Sequence, residues 1–280
     1  MLGKALVFRA TWNGENADYT SAIAAINKIT DKQLLANYGD NFSIFHENNA
    51  ESLWEFQADE VQGENVWLAN DWGGIGGTTT YHGFFDNAWS FWAQTPFVPT
   101  AKLTALVTSA EYNGDPRIPY IMDAGVGRIV KYTLEDQIAA NGVGSLNNER
   151  ILRYADVLLL KAEAMNETGD QNGAIALINQ VRKRARDMGA TGKPADRATG
   201  ASQDQVRSWI MEERFIELAA EGHRWDDLRR WHKAGFITLN NAFFSSLNPS
   251  LNFDPNKHLL DPIPTSETDL NPNVKQNPGY

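Results

Sequence analysis

The segment from Ile210 to Trp231 carries the pattern that most restricts how this chain folds. Its apolar residues recur at helical spacing and predict one buried helix face: Met211, Phe215, Leu218 and Gly222. Its acidic residues form a second row four residues apart: Glu213, Glu217 and Glu221. Like charges at this spacing repel, so a helix that carries them needs cations opposite the row. The nearest cations in the sequence are Arg214, Arg224, Arg229 and Arg230.

Gly222 predicts a helix end or a close backbone approach, followed by a second short helix. Two interpretations of the acidic row are open. Carboxylates close to His223 are compatible with the acid/base pair of a glycoside hydrolase that uses Glu213, Glu217 or Glu221. Regular helical spacing beside many arginines instead favours a structural ion network. We favour the network and expect no catalytic residue.

Composition excludes several classes of function. The chain has 280 residues and a net charge of −10, which argues against a nucleic-acid surface. It has no cysteine and no apolar run long enough for a membrane helix. The five histidines lack zinc-helix spacing, and the glycine run 73–77 is not followed by the Gly-Lys-Ser/Thr of a phosphate loop. We therefore expect neither a metal nor a cofactor.

Two helical pairs have the spacing of tetratricopeptide repeats. Residues 1–30 and 149–187 each place small and apolar residues at matching offsets, for example Ala22 and Ile26 in the first pair. Residues 31–148 between them predict a loop-rich insertion with minor β structure, including a strand at 51–56 and a short helix capped by Thr100. Residues 206–280 predict a helical corner and a largely irregular tail. The predicted fold is thus mainly α.

Aromatic residues cluster inside the insertion. Trp67, Trp72 and Tyr81 lie in glycine-rich sequence beside Asn70 and Asp71. Indole and phenol faces stack on the C–H faces of sugars, while amides and carboxylates hydrogen-bond to hydroxyls. We predict that these five residues bind a glycan. The alternative for the neighbouring aromatics at 84, 85, 91 and 92 is a place in the core.

Three motifs, in order, resemble the SusD/RagB family. They are Arg153-Tyr154-Ala155-Asp156-Val157-Leu158-Leu159, the segment from Glu213 to Trp231, and the ending from Asn271 to Tyr280. The resemblance implies a single SusD-like domain over 1–280 that binds oligosaccharide or polysaccharide at the outer surface of the bacterial outer membrane. It also implies a SusC-like TonB-dependent transporter as partner, no catalysis and no nucleic acid.

The resemblance begins at Gly3-Lys4-Ala5, inside the family pattern. We therefore expect the C-terminal portion of a family member or a shortened relative, and neither a lipoprotein signal nor its cysteine is visible. Family members carry a lipid anchor at the mature N-terminus. One further alternative stays open: a tetratricopeptide-like scaffold that binds only protein partners.

Overall fold

The computed structural model describes residues 1–58, 98–125, 127–135, 145–245 and 250–280. The described chain forms two compact units, residues 1–224 and 225–280. The bounds of the helices and strands in the first unit are α1 Leu2–Asn13, α2 Asn16–Ile26, β1 Ser52–Phe56, α3 Ala101–Val107, α4 Ile118–Ile121, β2 Met122–Asp123, β3 Arg128–Ile129, β4 Glu149–Arg153, α5 Tyr154–Glu167, α6 Gln171–Asp187 and α7 Gln203–Glu217. The predicted mainly α fold with minor β structure is confirmed.

Helices α1 and α2 form the first predicted pair. Gly14, in the left-handed region at φ 74°, ends α1. The two helices approach so closely that a Cβ added to Gly3 would lie 2.5 Å from Ile26 Cγ1. Val7 and Ala22 are fully buried between this pair and Leu160 of α5. Small residues therefore set the helix spacing here.

Helices α5, α6 and α7 pack around the second apolar cluster. Ile175 and Ile178 of α6 pack with Leu159 of α5 and Ile210 of α7. Side-chain caps fix three helix starts: Thr100 Oγ1 accepts from Leu103 N, Asp170 Oδ1 from Gly173 N, and Ser202 Oγ from Gln205 N. The predicted Thr100 cap is thus confirmed.

The described part of the insertion is held by short strands and aromatic packing. Strand β1 pairs antiparallel with β4, and β2 pairs antiparallel with β3. Tyr38 and Phe42 lie on a 3-10 turn, where their rings make an edge contact at 5.0 Å, and Phe42 contacts Tyr132 in the same way. The segment around the 3-10 turn and the segment after β3 therefore contribute aromatic rings to the same part of the core.

The second unit begins within helix α8, Arg224–Lys233, and continues with α9 Asn241–Ser245, α10 Pro255–His258 and α11 Thr265–Leu270. The tail, which the sequence predicts as largely irregular, thus contains three short helices among its described residues. Gln276 holds the last residues by bonding both the amide and the carbonyl of Ile263. Within the described residues, no helix is long and apolar enough to cross a membrane.

Candidate functional site

Helix α7 turns its acidic row toward the interior. Glu213 and Glu217 are fully buried, whereas Met211 and Phe215 are only partly buried. The helix ends at Glu217, so Glu221 lies in the turn that follows, and Gly222 has a φ of 76°. The buried side of the helix is completed by Val206 and Ile210. Leu218 of the predicted apolar face is buried, and Phe215 packs against the core, so that prediction is right only in part. It missed the acidic row, which is buried because the carboxylates find enough cations.

Glu217 is at the centre of this network. Its carboxylate accepts hydrogen bonds from Arg117 Nη1 at 2.7 Å and from Arg153 Nη1 at 2.6 Å, and Arg184 donates a third. Burial alone would raise the pKa of Glu217, but the three guanidinium groups outweigh it and hold the pKa well below its usual range. The carboxylate is therefore charged and fully paired.

The same cations link Glu217 to the other acids. Arg117 Nη1 also donates to Glu213 Oε1 at 2.6 Å, and Arg153 Nε donates to Glu221 Oε2 at 2.6 Å. Lys131 Nζ pairs with Glu221 and caps the carbonyl of Ala219 at 2.8 Å. Burial lowers the pKa of Lys131 to about 8, although Glu221 opposes that shift. Acidic and basic groups balance in number across the buried members: Glu51, Asp115, Glu213, Glu217 and Glu221 against Arg117, Lys131, Arg153, Arg182 and Arg184.

The cations come from segments far from the acidic row in the sequence. Of the arginines that we named from sequence, Arg214 pairs with Asp156, Arg229 with Asp226 and Arg230 with Asp227. Sequence reasoning missed the long-range partners of the row. The sequence did contain a signal for these partners. Arg117 ends an Asp-Pro-Arg segment and Arg153 begins an Arg-Tyr-Ala-Asp segment, and each segment is followed directly by apolar residues.

The network is closed to solvent and links separate parts of the fold. Glu213, Glu217, Arg117 and Arg153 have no exposed side-chain surface. A hydrolytic carboxylate must reach the glycosidic bond, and its acid partner needs a raised pKa. The hydrolase interpretation therefore has no accessible carboxylate in this row. The network instead ties Glu51 of the insertion to helices α6 and α7.

A second buried cluster links α1 to α5 and α7. Lys4 Nζ donates to Asp156 Oδ2 at 2.9 Å and lies 3.1 Å from His223 Nδ1, while Arg214 Nη1 donates to Asp156 Oδ1 at 2.7 Å. Burial lowers the pKa of His223, and Asp156 opposes that shift. Among the described residues, no group of three or more side chains is arranged to hold a metal ion.

The five predicted ligand residues, Trp67, Asn70, Asp71, Trp72 and Tyr81, lie outside the described residues. On the N-terminal side of these five residues, the structure describes the chain up to Ala58. Asn148 accepts from the amide of Ala58 at 2.8 Å and donates to Glu55 at 2.9 Å, so the end of β1 is fixed. Trp54 on β1 is 52% exposed. Binding by the five residues stays a prediction.

The chain is similar to known proteins of the SusD family. The sequence profile of the SusD family matches residues 11–280. Among curated proteins, the chain is similar to SusD-like protein P2 of Formosa agariphila, with 37% identity over 64% of this chain and 37% of that protein. It is also similar to SusD-like protein P25 of the same organism, with 28% identity over 85% of this chain and 50% of that protein. The chain thus spans half or less of the length of these relatives.

Two solved structures share the fold. A SusD superfamily protein from Bacteroides vulgatus superposes with a TM-score of 0.68 at 25% identity and covers all of this chain and 61% of its own. Surface glycan-binding protein A from Bacteroides fluxus superposes with a TM-score of 0.66 at 23% identity, over 98% of this chain and 61% of its own. The helical pairs and short strands described above therefore have counterparts in solved proteins.

Proposed function

Because the chain belongs to the SusD family, we propose that it binds oligosaccharide or polysaccharide at the outer surface of the cell. The family match over residues 11–280 is the observation that carries this proposal. Proteins named surface glycan-binding proteins share its fold. The complete burial of Glu213 and Glu217 favours a binding protein over a hydrolase, since substrate cannot reach those carboxylates.

The proposed ligand-binding platform is Trp67, Trp72 and Tyr81, with Asn70 and Asp71 contacting hydroxyls. Loops on a rigid scaffold commonly carry binding residues, and the buried ion network supplies such a scaffold. Stacking on an open surface without ion pairs gives affinities of about micromolar to millimolar. Such binding is nearly insensitive to salt, because no charge pair is screened.

Calorimetric titration of purified protein with a panel of polysaccharides tests this proposal. Trp72→Ala is expected to weaken binding by about 2 kcal/mol, roughly 30-fold, as loss of a central aromatic anchor does. Trp67→Ala and Tyr81→Ala should weaken it as well. Trp54→Ala removes an exposed aromatic outside the platform and serves as the matched control. Unchanged binding by all three platform variants would place the glycan elsewhere.

We further propose a SusC-like TonB-dependent transporter as the partner, and an outer-membrane, lipid-anchored location for the full-length protein. Both rest on the family and not on a described contact. Co-purification of the tagged protein with a β-barrel transporter from membranes is the expected result.

An alternative is a scaffold that binds only protein, which the paired helices α1–α2 and α5–α6 favour. Stable capture of a soluble protein, with no response to any glycan, would support that alternative.

A further inference from the structure

A cleft in the first unit lies apart from the proposed aromatic platform in sequence. It has a volume of about 90 Å³ and opens between the 3-10 turn Tyr38–Phe42 and the segment after β3. Its lining residues are Asn37, Gly39, Asp40, Phe42, Tyr120, Tyr132, Leu134 and Glu135. The volume admits several waters or part of one small ring, and it is far below the several hundred Å³ that large ligands need.

The floor of the cleft is rigid. Phe42 and Tyr132 meet edge to face at 5.0 Å, and Asn147 Nδ2 donates to the carbonyl oxygens of both residues at 2.7 and 3.0 Å. Tyr132 has a φ of 73°, a left-handed conformation that costs a bulky residue free energy and persists only where the surroundings impose it. The floor is therefore formed before any ligand arrives.

One wall of the cleft is the ring of Tyr120. The ring lies so close to the backbone of Gly39 that an added Cβ would come 2.2 Å from Tyr120 Cε1. An edge contact with Tyr38 at 6.3 Å also restricts the ring. Tyr120 remains partly exposed, and its hydroxyl has no hydrogen-bond partner in the described part of the chain. A fixed ring with an unused hydroxyl is a suitable surface for a sugar.

The rim of the cleft carries two carboxylates, Asp40 and Glu135, that have no cationic partner in the described part of the chain. Asp40 Oδ1 accepts from Asn37 Nδ2 at 2.6 Å, while Asp40 Oδ2 has no partner among the described residues. The Glu135 side chain is exposed and likewise has no ion pair within them. Two carboxylates without a counter-charge repel an anion and accept hydrogen bonds from hydroxyl or ammonium groups.

We propose that this cleft is a second sugar subsite, which receives part of the ring of one neutral or amino-substituted pyranose residue and rejects uronic and sulfated sugars. The proposal rests on the proposed glycan-binding function and specifies one part of it. Asp40 and Glu135 accept from the sugar hydroxyls, and Tyr120 provides the aromatic wall. The small volume restricts the subsite to a single residue of the glycan.

Saturation-transfer NMR with three probes tests the subsite: methyl β-glucoside, glucosamine and glucuronate at neutral pH. The first two are expected to bind in the millimolar range, and glucuronate at least tenfold more weakly. Asp40→Asn should remove most of the preference for glucosamine over glucuronate. Tyr120→Phe deletes only the hydroxyl and should weaken methyl glucoside several-fold, whereas Gly39→Ala should displace the ring and abolish binding.

The matched control is Asp187→Asn, which changes an exposed carboxylate on α6, and it should bind like wild type. Equal binding of glucuronate and methyl glucoside would overturn the proposal, as would normal binding by folded Asp40→Asn and Tyr120→Phe. A response to calcium alone, with no sugar bound, would also overturn it. Polysaccharide binding that Trp72→Ala weakens, in a protein that binds none of the three probes, refutes the subsite and leaves the proposed function intact.

Discussion

The carboxylate of Glu217 shows how burial of charge works at the scale of one residue. Taking an ion out of water is costly, and a buried pair adds stability only when its geometry is good and its remaining atoms are bonded. Here Glu217 accepts from Arg117, Arg153 and Arg184, and Arg153 also donates to the carbonyl oxygen of residue 217 at 2.7 Å. Removal of one acid therefore leaves several buried cations short of a partner.

We predict that Glu217→Ala lowers the free energy of unfolding by about 3–5 kcal/mol, because it leaves guanidinium charge unpaired in the interior. Glu212→Ala is the matched control on the same helix, since its pair with Arg197 is partly exposed and should contribute about 0–1 kcal/mol. Urea denaturation of both variants measures the difference. Equal losses in the two variants would show that the network does not stabilise the fold.

The cluster around His223 predicts a pH dependence. Lys4, Asp156, Arg214 and Glu221 face the ring, and burial sets the pKa of His223 below its ordinary value of 6.5. The unfolded chain therefore binds a proton more readily than the folded one below about pH 6.5. The free energy of unfolding should fall as the pH drops from 7 toward 5, by at most about 1.4 kcal/mol per pH unit.

Denaturation of wild type and His223→Gln at several pH values measures this effect. The variant has no titrating ring, so its stability should change less between pH 7 and 5. The pKa of Glu217 is lowered from 4.5, so its contribution is lost only at more acidic pH and does not confuse the comparison. The exposed His46→Gln should follow wild type. Parallel curves for wild type and His223→Gln would contradict the prediction.

At the scale of secondary-structure elements, the pair α1–α2 depends on the size of its interface residues. Ala22 is fully buried, whereas Ala24 on the same helix is exposed. Leucine adds three carbons, which the close packing between α1, α2 and α5 has no room to hold.

We therefore predict that Ala22→Leu costs about 1–3 kcal/mol of unfolding free energy. Ala24→Leu makes the same chemical change at an exposed site and should be near neutral, since alanine and leucine have similar helix propensity. Thermal and chemical denaturation compare the two. Equal stability of the two variants would mean that the helices are packed more loosely than the structure indicates.

At the scale of the whole molecule, the last residues of the second unit pack against residues 257–263 of the same unit. Gln276 bonds to Ile263 through both amide atoms at 2.7 Å, Asn277 Nδ2 donates to Asp261 O at 2.7 Å, and Lys257 Nζ lies 4.8 Å from the centre of the Tyr280 ring. A chain end held in this way is ordered, unlike most termini. These contacts dock the last residues within the second unit.

We predict that Gln276→Ala speeds hydrogen exchange of the amides from Val274 to Tyr280 toward random-coil rates. The reason is the loss of both bonds to Ile263, which hold the tail against the segment before α11. Lys275→Ala, a neighbour with no such bonds, is the control. Exchange at random-coil rates in wild type would show that the tail is not docked.

Local sequence determined where the helices lie and which family the chain belongs to. Periodicity and caps act over a few residues. The sequence could therefore predict the pairs α1–α2 and α5–α6, strand β1 and the Thr100 cap. The proposed sugar-binding residues came from local composition, and they remain a prediction.

Only the tertiary structure decided which side of α7 is buried and which cations meet Glu213, Glu217 and Glu221. Spacing along a helix reports which residues share a face, but it does not report what that face will contact. The partners Arg117, Lys131 and Arg153 lie some 60 to 100 residues away in sequence, at separations such as 100 for Arg117–Glu217 and 64 for Arg153–Glu217. Because these charges meet only when the chain has closed on itself, no local pattern contains the pairing.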